Sequence, residues 1–267
     1  MNKKIQLFQI FYDEKTKASI DPDFTPMDNT SGPAHLFESY PICNYIDSID
    51  FDDNEWVGFF SPKFFHKTLL RGSQVRNIVN EANREIEVHL FSSFWTHAAV
   101  WPNVWQQGES AHPGLLKISQ KLAEKCGYEV DLKNSLNTLE TAVFSNFLVA
   151  KRSFWLEWRR AVRKYSDMCI NDSEIGSMTT EYSGKKVDIR TFVIERIASM
   201  ILLTKKYRTS FHLQAYDRQF STQTVAGKLA YKMHLCKKEF IETREPNWLA
   251  AYNKLVTEYN ETVVTKT

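Results

Sequence analysis

The sequence predicts a layered α/β domain followed by a helical C-terminal segment. Short apolar segments with the composition of strands alternate with segments of helical periodicity, and the pattern from about residue 224 onward is helical apart from a break at Pro246. The length of 267 residues and an apolar fraction of 43% allow one large hydrophobic core. We therefore predict one domain over residues 1–222 and a helical extension packed on it over residues 223–267.

The predicted elements follow in a regular order along the chain. Strand composition or alternation marks five segments: 4–12, 56–60, 85–94, 144–151 and 207–216. Helical spacing marks five others, besides the C-terminal tail: 35–49, 73–84, 115–127, 152–169 and 189–205. Three stretches rich in polar residues, Gly or Pro predict loops: 13–34, 95–114 and 171–188. This alternation favours a mixed central sheet covered by helices.

Charge and cysteine usage narrow the class of protein. The net charge of +2 is small for a nucleic-acid-binding protein, and the chain has no RNP, zinc-finger or helix-turn-helix signature. The four cysteines are far apart and form no C-x-x-C pair, which favours free thiols in a reducing compartment. Charged residues follow the first apolar stretch too soon for a signal peptide, and the longest apolar run, Ile197–Leu203, is too short to span a bilayer. We expect a cytoplasmic protein.

The stretch 95–114 has the most unusual composition in the chain. It contains Trp95, Trp101 and Trp105 together with Glu109 and His112, framed by Gly and Pro. Sugars stack on the faces of Trp rings and form hydrogen bonds at their rims, so this stretch predicts a sugar-binding surface. The alternative is a loop whose rings pack over the core. The sequence has no P-loop, dinucleotide-binding, G-x-S-x-G or H-E-x-x-H motif.

Three segments occur in an order that points to a family. They are Glu55-Trp56-Val57-Gly58, then Ser145-Asn146-Phe147-Leu148-Val149 with Phe154-Trp155, and then Glu195-Arg196-Ile197. In this order, over about residues 5–215, the chain resembles the bacterial GT-A-type glycosyltransferases of capsule and O-antigen polysaccharide gene clusters. The resemblance implies a single nucleotide-binding α/β sandwich with the donor across the carboxyl ends of the strands. It also implies a nucleotide-sugar donor and a glycan or lipid-linked acceptor.

The chain departs from that family where the donor site would lie. In most members, the strand equivalent to Trp56–Phe60 ends in Asp-x-Asp, whose carboxylates hold a divalent ion on the donor diphosphate. Here the strand is followed by Ser61-Pro62-Lys63 and then by His66 and Lys67. Cationic side chains can neutralise a leaving diphosphate without a metal, so we predict that Lys63, His66 and Lys67 bind the donor phosphates. The alternative is that they are ordinary exposed side chains after a strand.

An alternative metal site is present in Asp50-Phe51-Asp52, beside Asp53. This segment has the literal Asp-x-Asp pattern, and its carboxylates could hold manganese. It precedes the strand Trp56–Phe60 instead of ending it, so we expect it at the opposite edge of the sheet. An acidic turn is the favoured interpretation, and the sequence predicts no cofactor and no metal requirement.

A transferase that inverts configuration needs a general base for the acceptor hydroxyl. In the inverting relatives, the base is an acidic residue that follows the second of the three segments, and Glu195 has the corresponding place in this chain. Glu109 and His112 are rival candidates, and Asp188 is a weaker one. A retaining enzyme would need no such base. Asn146, in the second segment, is a further candidate for contact with the sugar.

Three functions are compatible with these patterns. The first is a glycosyltransferase of a bacterial surface polysaccharide, and the second is a non-catalytic carbohydrate-binding or assembly protein on a degenerate glycosyltransferase fold. The missing Asp-x-Asp fits both. The third, a helical interaction module, leaves the central strands unexplained. The basic, amphipathic C-terminal segment predicts either a helix packed on the domain or a peripheral contact with the inner face of an anionic membrane.

Overall fold

Strands and helices alternate along the described part of the chain, which in this computed structural model comprises residues 3–33, 35–49, 52–91, 94–182, 184–212 and 224–263. The strands of these ranges are β1 (Ile5–Phe11), β2 (Thr25–Asp28), β3 (Trp56–Phe60), β4 (Val88–Leu90), β5 (Leu148–Lys151), β6 (Thr179–Tyr182), β7 (Lys185–Asp188) and β8 (Thr209–Phe211). The helices are α1 (Glu14–Ala18), α2 (Ser39–Ser48), α3 (Phe64–Thr68), α4 (Gly72–Glu81), α5 (Trp95–Val100), α6 (Val104–Ala111), α7 (Leu115–Cys126), α8 (Arg152–Asn171), α9 (Ser173–Gly176), α10 (Arg190–Ile194), α11 (Ile197–Thr204), α12 (Val225–Thr243) and α13 (Pro246–Thr262).

Six of these strands form one mixed sheet in the order β2-β1-β3-β5-β4-β8. β1 runs parallel to β2 and β3, whereas β5 runs antiparallel to β3 and β4. The carboxyl ends of β1 and β3 therefore meet at one edge of the sheet. β5 begins at this same edge, because Leu148 pairs with Phe59 near the end of β3. Residues 61–67 and 144–147 are thus neighbours in space, and the mixed α/β class predicted from the sequence is confirmed.

Both faces of the sheet are covered. Val57 and Phe59 of β3 belong to the larger hydrophobic cluster, while Trp56 and Phe60 belong to a smaller cluster that includes residues of α3 and α4. Successive side chains of a strand point to opposite faces, which places one cluster on each side of the sheet. All five residues of β3 are buried, as expected for a strand between two covered faces.

Regular structure is present in all three predicted loops. The stretch 13–34 contains α1 and β2, and the stretch 171–188 contains α9 and the antiparallel pair β6–β7. The prediction of a loop over 95–114 is wrong, because this stretch folds as α5 and α6. The side chain of Asn103 caps the N-terminus of α6, because it accepts hydrogen bonds from the backbone N–H groups of Trp105 and Gln106.

Other predicted elements differ mainly in extent. The predicted helix 189–205 is divided at Glu195-Arg196 into α10 and α11. The predicted strand 144–151 is reduced to β5, and residues 144–147 lead into it as a separate segment. The predicted strand 207–216 is reduced to β8 within the described residues, and its last four residues lie outside them.

The two C-terminal helices are packed on the domain. α12 contacts both α13 and α5, and its residues Leu229 and Met233 belong to the larger hydrophobic cluster. The Oη atom of Tyr252 in α13 donates a hydrogen bond of 2.7 Å to the carbonyl of Val100 at the end of α5. The boundary between a domain over 1–222 and an extension over 223–267 stays a prediction. In the described ranges, no helix combines the length and the apolar character needed to cross a membrane.

Candidate functional site

A cleft of about 950 Å³ opens at the edge of the sheet where β1 and β3 end. Tyr12 directly follows β1, Ser61 directly follows β3, and Ser145 lies shortly before β5; all three line the cleft. Other walls are formed by residues of α1, α3 and α10, of the β6–β7 pair and of the segment that leads into α2. In open α/β sheets, ligands bind outside the carboxyl ends of the strands, so the cleft has the position expected of a ligand site.

The cationic side of the cleft carries the three residues predicted to bind donor phosphates, Lys63, His66 and Lys67. Lys63 and His66 are exposed, while Lys67 is half-buried. The Nζ atom of Lys67 donates a hydrogen bond of 3.1 Å to Ser145 Oγ and lies 5.3 Å from the centroid of the Phe147 ring. The structure brings these cations together in one cleft, and their role as phosphate ligands stays a prediction.

Two carboxylates lie in the same cleft, Glu38 at the start of α2 and Glu195 between α10 and α11. Burial raises the pKa of both carboxyl groups. For Glu38 the pKa reaches about 7, and repulsion from Glu195 adds to the effect of burial. Lys63 and Lys67 act in the opposite direction on both groups. The cleft therefore combines cations that suit an anionic ligand with two carboxyl groups whose pKa is raised by burial, and Glu38 can exchange a proton near neutral pH.

Arg196 supports the position of Glu195. Its buried guanidinium donates hydrogen bonds of 2.9 Å to the carbonyl of Val104 and 2.8 Å to the carbonyl of Phe192. A third bond of 3.0 Å goes to the side chain of Gln107. Its Nη1 atom also lies 3.9 Å from Glu195 Oε2. The guanidinium thus joins α6 to the break between α10 and α11, where Glu195 turns into the cleft.

A group of neighbouring residues in the cleft, formed by Tyr12, Phe37 and Glu38, is absent from the site predicted from the sequence. The hydroxyl of Tyr12 donates a hydrogen bond of 2.8 Å to Glu38 Oε1, and the Tyr12 and Phe37 rings are stacked at 5.1 Å. Phe37 has a φ of 46°, a conformation that bulky residues rarely adopt, and its ring is 43% exposed. The only sequence signal for this group was the position of Tyr12 at the end of a strand.

The rival bases Glu109 and His112 do not line the cleft. Glu109 accepts hydrogen bonds of 2.8 and 2.7 Å from the backbone N–H groups of Gly114 and Leu116, so it caps the start of α7. His112 is buried behind the cleft wall, with its ring stacked 3.6 Å from the Phe192 ring. Burial lowers the pKa of His112. Asp188 does line the cleft, but it is bound by Arg190 through two hydrogen bonds of 2.8 Å.

The three tryptophans predicted to stack on sugar lie outside the cleft. Trp105 is fully buried and Trp95 is 9% exposed, and both belong to the larger hydrophobic cluster. Trp101 is half-buried at the end of α5. The buried rings of Trp95 and Trp105 offer no face to a sugar in this structure, because they fill the space between the helices. This favours the alternative of rings packed on the core.

Asn146 lies beside the carboxylates instead of on an open sugar surface. It is buried, and it lines a small space behind the cleft wall together with Glu38 and Glu195.

The candidate metal segment has a different position. Asp52 and Asp53 are exposed and precede β3, at the opposite end of the strand from the cleft, while Asp50 lies outside the described residues. Within the described ranges, no group of three or more His, Cys, Asp or Glu residues is arranged to hold a metal ion.

Comparisons with known proteins give one informative match. No protein-family model matches the sequence, and no curated protein matches it. Among solved structures, the bifunctional glycosyltransferase WbbM in its apo form is similar, with a TM-score of 0.50 and 9% sequence identity. The match covers 78% of this chain and 44% of that chain, so this protein corresponds to less than half of WbbM. At this identity the match shows the fold alone, which is a glycosyltransferase-like α/β fold.

Proposed function

We propose that the protein is a GT-A-type glycosyltransferase that moves a sugar from a nucleotide-sugar donor to a hydroxyl group of a glycan or lipid-linked acceptor. The observation that carries this proposal is the cleft itself. It lies at the carboxyl ends of β1 and β3 in a glycosyltransferase-like sheet, and it is lined by Lys63 and Lys67 together with Glu38 and Glu195. The setting that we propose is bacterial surface polysaccharide synthesis on the cytoplasmic side of the membrane.

The cations have a direct task in this reaction. As the bond between the sugar and the diphosphate breaks, the electron pair leaves with the nucleoside diphosphate, and negative charge develops on its phosphate oxygens. Lys63 and Lys67 stabilise this charge, and the hydrogen bond from Lys67 to Ser145 fixes one ammonium group before the donor arrives. We propose His66 as a third phosphate contact, because it lies on α3 one residue before Lys67.

Glu195 is the proposed general base. The acceptor oxygen forms the new bond to the sugar carbon, and its proton passes to the Glu195 carboxylate. Arg196 holds the backbone at this position and favours the ionised form of the carboxyl group, which must be unprotonated to act as a base. This role applies if the reaction inverts configuration at the sugar carbon.

Thermal stability with and without nucleotides tests the proposal. The wild-type protein is heated with ADP, CDP, GDP, UDP and their sugar derivatives, each with EDTA or with manganese. A ligand at 100 times its Kd stabilises the folded state by about 2.7 kcal/mol, which gives a clear rise in Tm. We expect a rise that survives EDTA and is lost in the Lys63→Ala/Lys67→Ala double variant. A rise only with manganese would favour a carboxylate metal site, with Asp50 and Asp52 tested first.

A matched control separates the cleft from general charge effects. Lys232→Ala/Lys254→Ala removes the same charge from exposed positions of α12 and α13, and it should leave the nucleotide response unchanged. The expected activity is release of nucleoside diphosphate from a sugar nucleotide. If no nucleotide raises the Tm but a glycan does, a non-catalytic carbohydrate-binding protein replaces the transferase. This second function is kept because Ser61-Pro62, and no acidic pair, follows β3, which is compatible with a degenerate site as well as with a metal-free transferase.

A further inference from the structure

We propose that Glu38 contacts the donor diphosphate in its protonated form, so that one proton is taken up from solution when the donor binds. The inference rests on the proposed function of the cleft. A diphosphate that enters this cleft meets the carboxyl groups of Glu38 and Glu195 as well as the cations, since the third carboxylate, Asp188, is bound by Arg190. If both carboxyl groups were ionised, part of the attraction of Lys63 and Lys67 would be cancelled. One neutral carboxyl group removes this conflict and offers a hydrogen-bond donor to a phosphate oxygen.

The surroundings of the two carboxyl groups indicate which one keeps its proton. Glu195 has a guanidinium beside it, with Arg196 Nη1 at 3.9 Å. Glu38 instead accepts its hydrogen bond from the neutral hydroxyl of Tyr12, at 2.8 Å, and it is repelled by the Glu195 charge. A carboxyl group beside a cation ionises first, and the like-charged neighbour then titrates at higher pH. This division assigns the base to Glu195 and the proton to Glu38.

The electrostatic surroundings support this assignment. Burial is the main cause that raises the pKa of Glu38 to about 7, so the group is present in both forms near neutral pH. Burial and the adjacent Glu38 also raise the pKa of the Tyr12 phenol far above its ordinary range, so Tyr12 stays a hydrogen-bond donor. With Oε1 occupied by Tyr12, the proton of a neutral Glu38 is available on Oε2.

Other charged groups line the cleft, and their effect on the affinity for the diphosphate must be distinguished from the effect of Glu38. The lysines and histidines among its lining residues are Lys15, His35, Lys63, His66 and Lys67, and Tyr182 lines it as well as Tyr12. The remaining acidic group, Asp188, is bound by Arg190. Each cationic side chain among them also contributes to the binding of an anion. A fall in affinity with pH is therefore not sufficient, and the contribution of Glu38 has to be isolated by comparison with a variant.

The sign of the effect follows from proton linkage. Below the pKa of Glu38 the group is already neutral, so binding requires no further proton. Above it, the free protein must take up a proton as the diphosphate binds, so affinity falls as the pH rises through this pKa. In this step a proton from solution forms an O–H bond on the Glu38 carboxylate, and that bond breaks again when the nucleoside diphosphate leaves and the proton returns to solution. Glu38→Gln is neutral at every pH and should bind the diphosphate without this proton.

The experiment compares the affinities of wild type and Glu38→Gln between pH 6 and 8.5. The probe is whichever of ADP, CDP, GDP and UDP gives the largest thermal shift, and Kd is measured by calorimetry. A pH effect that does not involve Glu38, such as titration of the ligand phosphate, affects both proteins equally, so it cancels in the ratio of the two Kd values. We expect the ratio of wild-type to Glu38→Gln Kd to rise by up to about tenfold per pH unit above the midpoint.

Two further variants move the midpoint in opposite directions. Tyr12→Phe removes a hydrogen bond that stabilises the Glu38 carboxylate, so the pH dependence should begin at a higher pH. Glu195→Gln removes the repulsion, so it should begin at a lower pH. Glu157→Gln is a matched control, because Glu157 accepts a hydrogen bond of 2.5 Å from Tyr128 outside the cleft. Its Kd should follow that of wild type at every pH.

The outcomes distinguish this inference from the proposed function. A rising Kd ratio with the two opposite shifts supports the proton-linked role of Glu38. Clear nucleotide binding with a ratio that is constant from pH 6 to 8.5 overturns the inference and leaves the proposed function intact. If no nucleoside diphosphate binds at any pH, the proposed function and the inference are both overturned.

Discussion

The ammonium group of Lys67 donates a hydrogen bond of 3.1 Å to the Oγ atom of Ser145. Lys67 lies on α3 after the end of β3, and Ser145 lies just before β5, so the bond joins two segments that the antiparallel pairing of β3 and β5 brings together. Ser145 is buried, whereas Lys67 is half-buried and faces the cleft. The hydroxyl therefore acts as a fixed support that orients a cation toward the cleft.

This relationship predicts a graded loss of diphosphate binding. Lys67→Ala removes the charge, and a hydrogen bond to a charged group contributes about 1.5–3 kcal/mol, so the Kd should rise by about 10- to 100-fold. Ser145→Ala keeps the charge of Lys67 but removes the hydroxyl that orients it, so the rise in Kd should be smaller, about threefold to tenfold. Calorimetry with the best-binding nucleoside diphosphate measures both. Equal losses in the two variants would contradict a supporting role for Ser145.

The cationic side of the cleft could be anticipated from the sequence because strand direction constrains it. A buried strand followed by Ser61-Pro62 must release the chain at the carboxyl edge of the sheet, so Lys63 and Lys67 had to lie near that edge. The resemblance in the order of the three segments implies Glu195 as the candidate base, and this role stays a prediction. These predictions depend on the order and direction of the strands. Long apolar patterns in the sequence indicate this order even where the bounds of single elements are predicted wrongly.

The rest of the site could not be predicted, for two physical reasons. Glu38 lies in a segment whose path depends on Phe37 at a φ of 46°, and no propensity predicts a bulky residue in this region. The composition of 95–114 predicts a loop because α5 and α6 are short and separated by Pro102, so neither gives a long helical pattern. Asn103, with its capping side chain, was the signal that could have identified α6.

The packing of Arg196 against Gly108 gives a prediction about stability. A Cβ atom at Gly108 would lie 2.6 Å from Arg196 Nε, which is too close for any real contact. Replacing a helical glycine by alanine ordinarily stabilises a helix by about 1 kcal/mol. Here we expect Gly108→Ala to lower the free energy of unfolding by about 1–3 kcal/mol, because the buried guanidinium must move. Urea denaturation measures this, and Ser110→Ala on the exposed face of α6 should change it by less than about 1 kcal/mol. A stabilised Gly108→Ala would show that Arg196 is free to shift.

Lys237 gives a prediction about the pH dependence of stability. This fully buried lysine of α12 donates hydrogen bonds to the carbonyls of Ala98 and Trp101 at the end of α5. Pro102, four residues after Ala98, has no N–H group to donate to that carbonyl, so Lys237 supplies the missing donor. Burial lowers the pKa of Lys237 to about 7.

The sign follows from comparing folded and unfolded chains. An unfolded lysine keeps its proton up to a pH of about 10, so between about pH 7 and 10 the unfolded chain binds more protons than the folded one, and stability rises with pH. The free energy of unfolding of the wild type, minus that of Lys237→Met, should increase by about 1 kcal/mol per pH unit from pH 7 to 9. Lys232→Met, at an exposed position of α12, should show no such trend. A constant difference for Lys237→Met would mean that the buried amine does not titrate in this range.

The exposed aromatic ring of the cleft predicts a separation of stability from binding. Phe37 lines the cleft and is stacked on Tyr12, whereas Trp105 is fully buried in the core. Phe37→Ala and Phe37→Gly both remove the ring, so each should weaken binding of the sugar nucleotide by threefold to about tenfold relative to the nucleoside diphosphate. Trp105→Phe should lower the Tm and leave both affinities unchanged, because its ring does not reach the cleft.

Phe37→Ala and Phe37→Gly differ in how much strain the backbone conformation at this position imposes on the new residue. At a φ of 46°, glycine is unstrained while alanine retains the cost of a Cβ atom, so Phe37→Gly should be more stable than Phe37→Ala by about 1 kcal/mol. Urea denaturation of both variants measures this difference, and calorimetry shows whether their binding losses are equal. Equal stabilities would mean that the backbone relaxes once the ring is gone, and the ring itself would then impose the unusual conformation. If Trp105→Phe weakened the binding of the sugar nucleotide and the Phe37 variants did not, the tryptophans and not Phe37 would be the residues that contact the sugar.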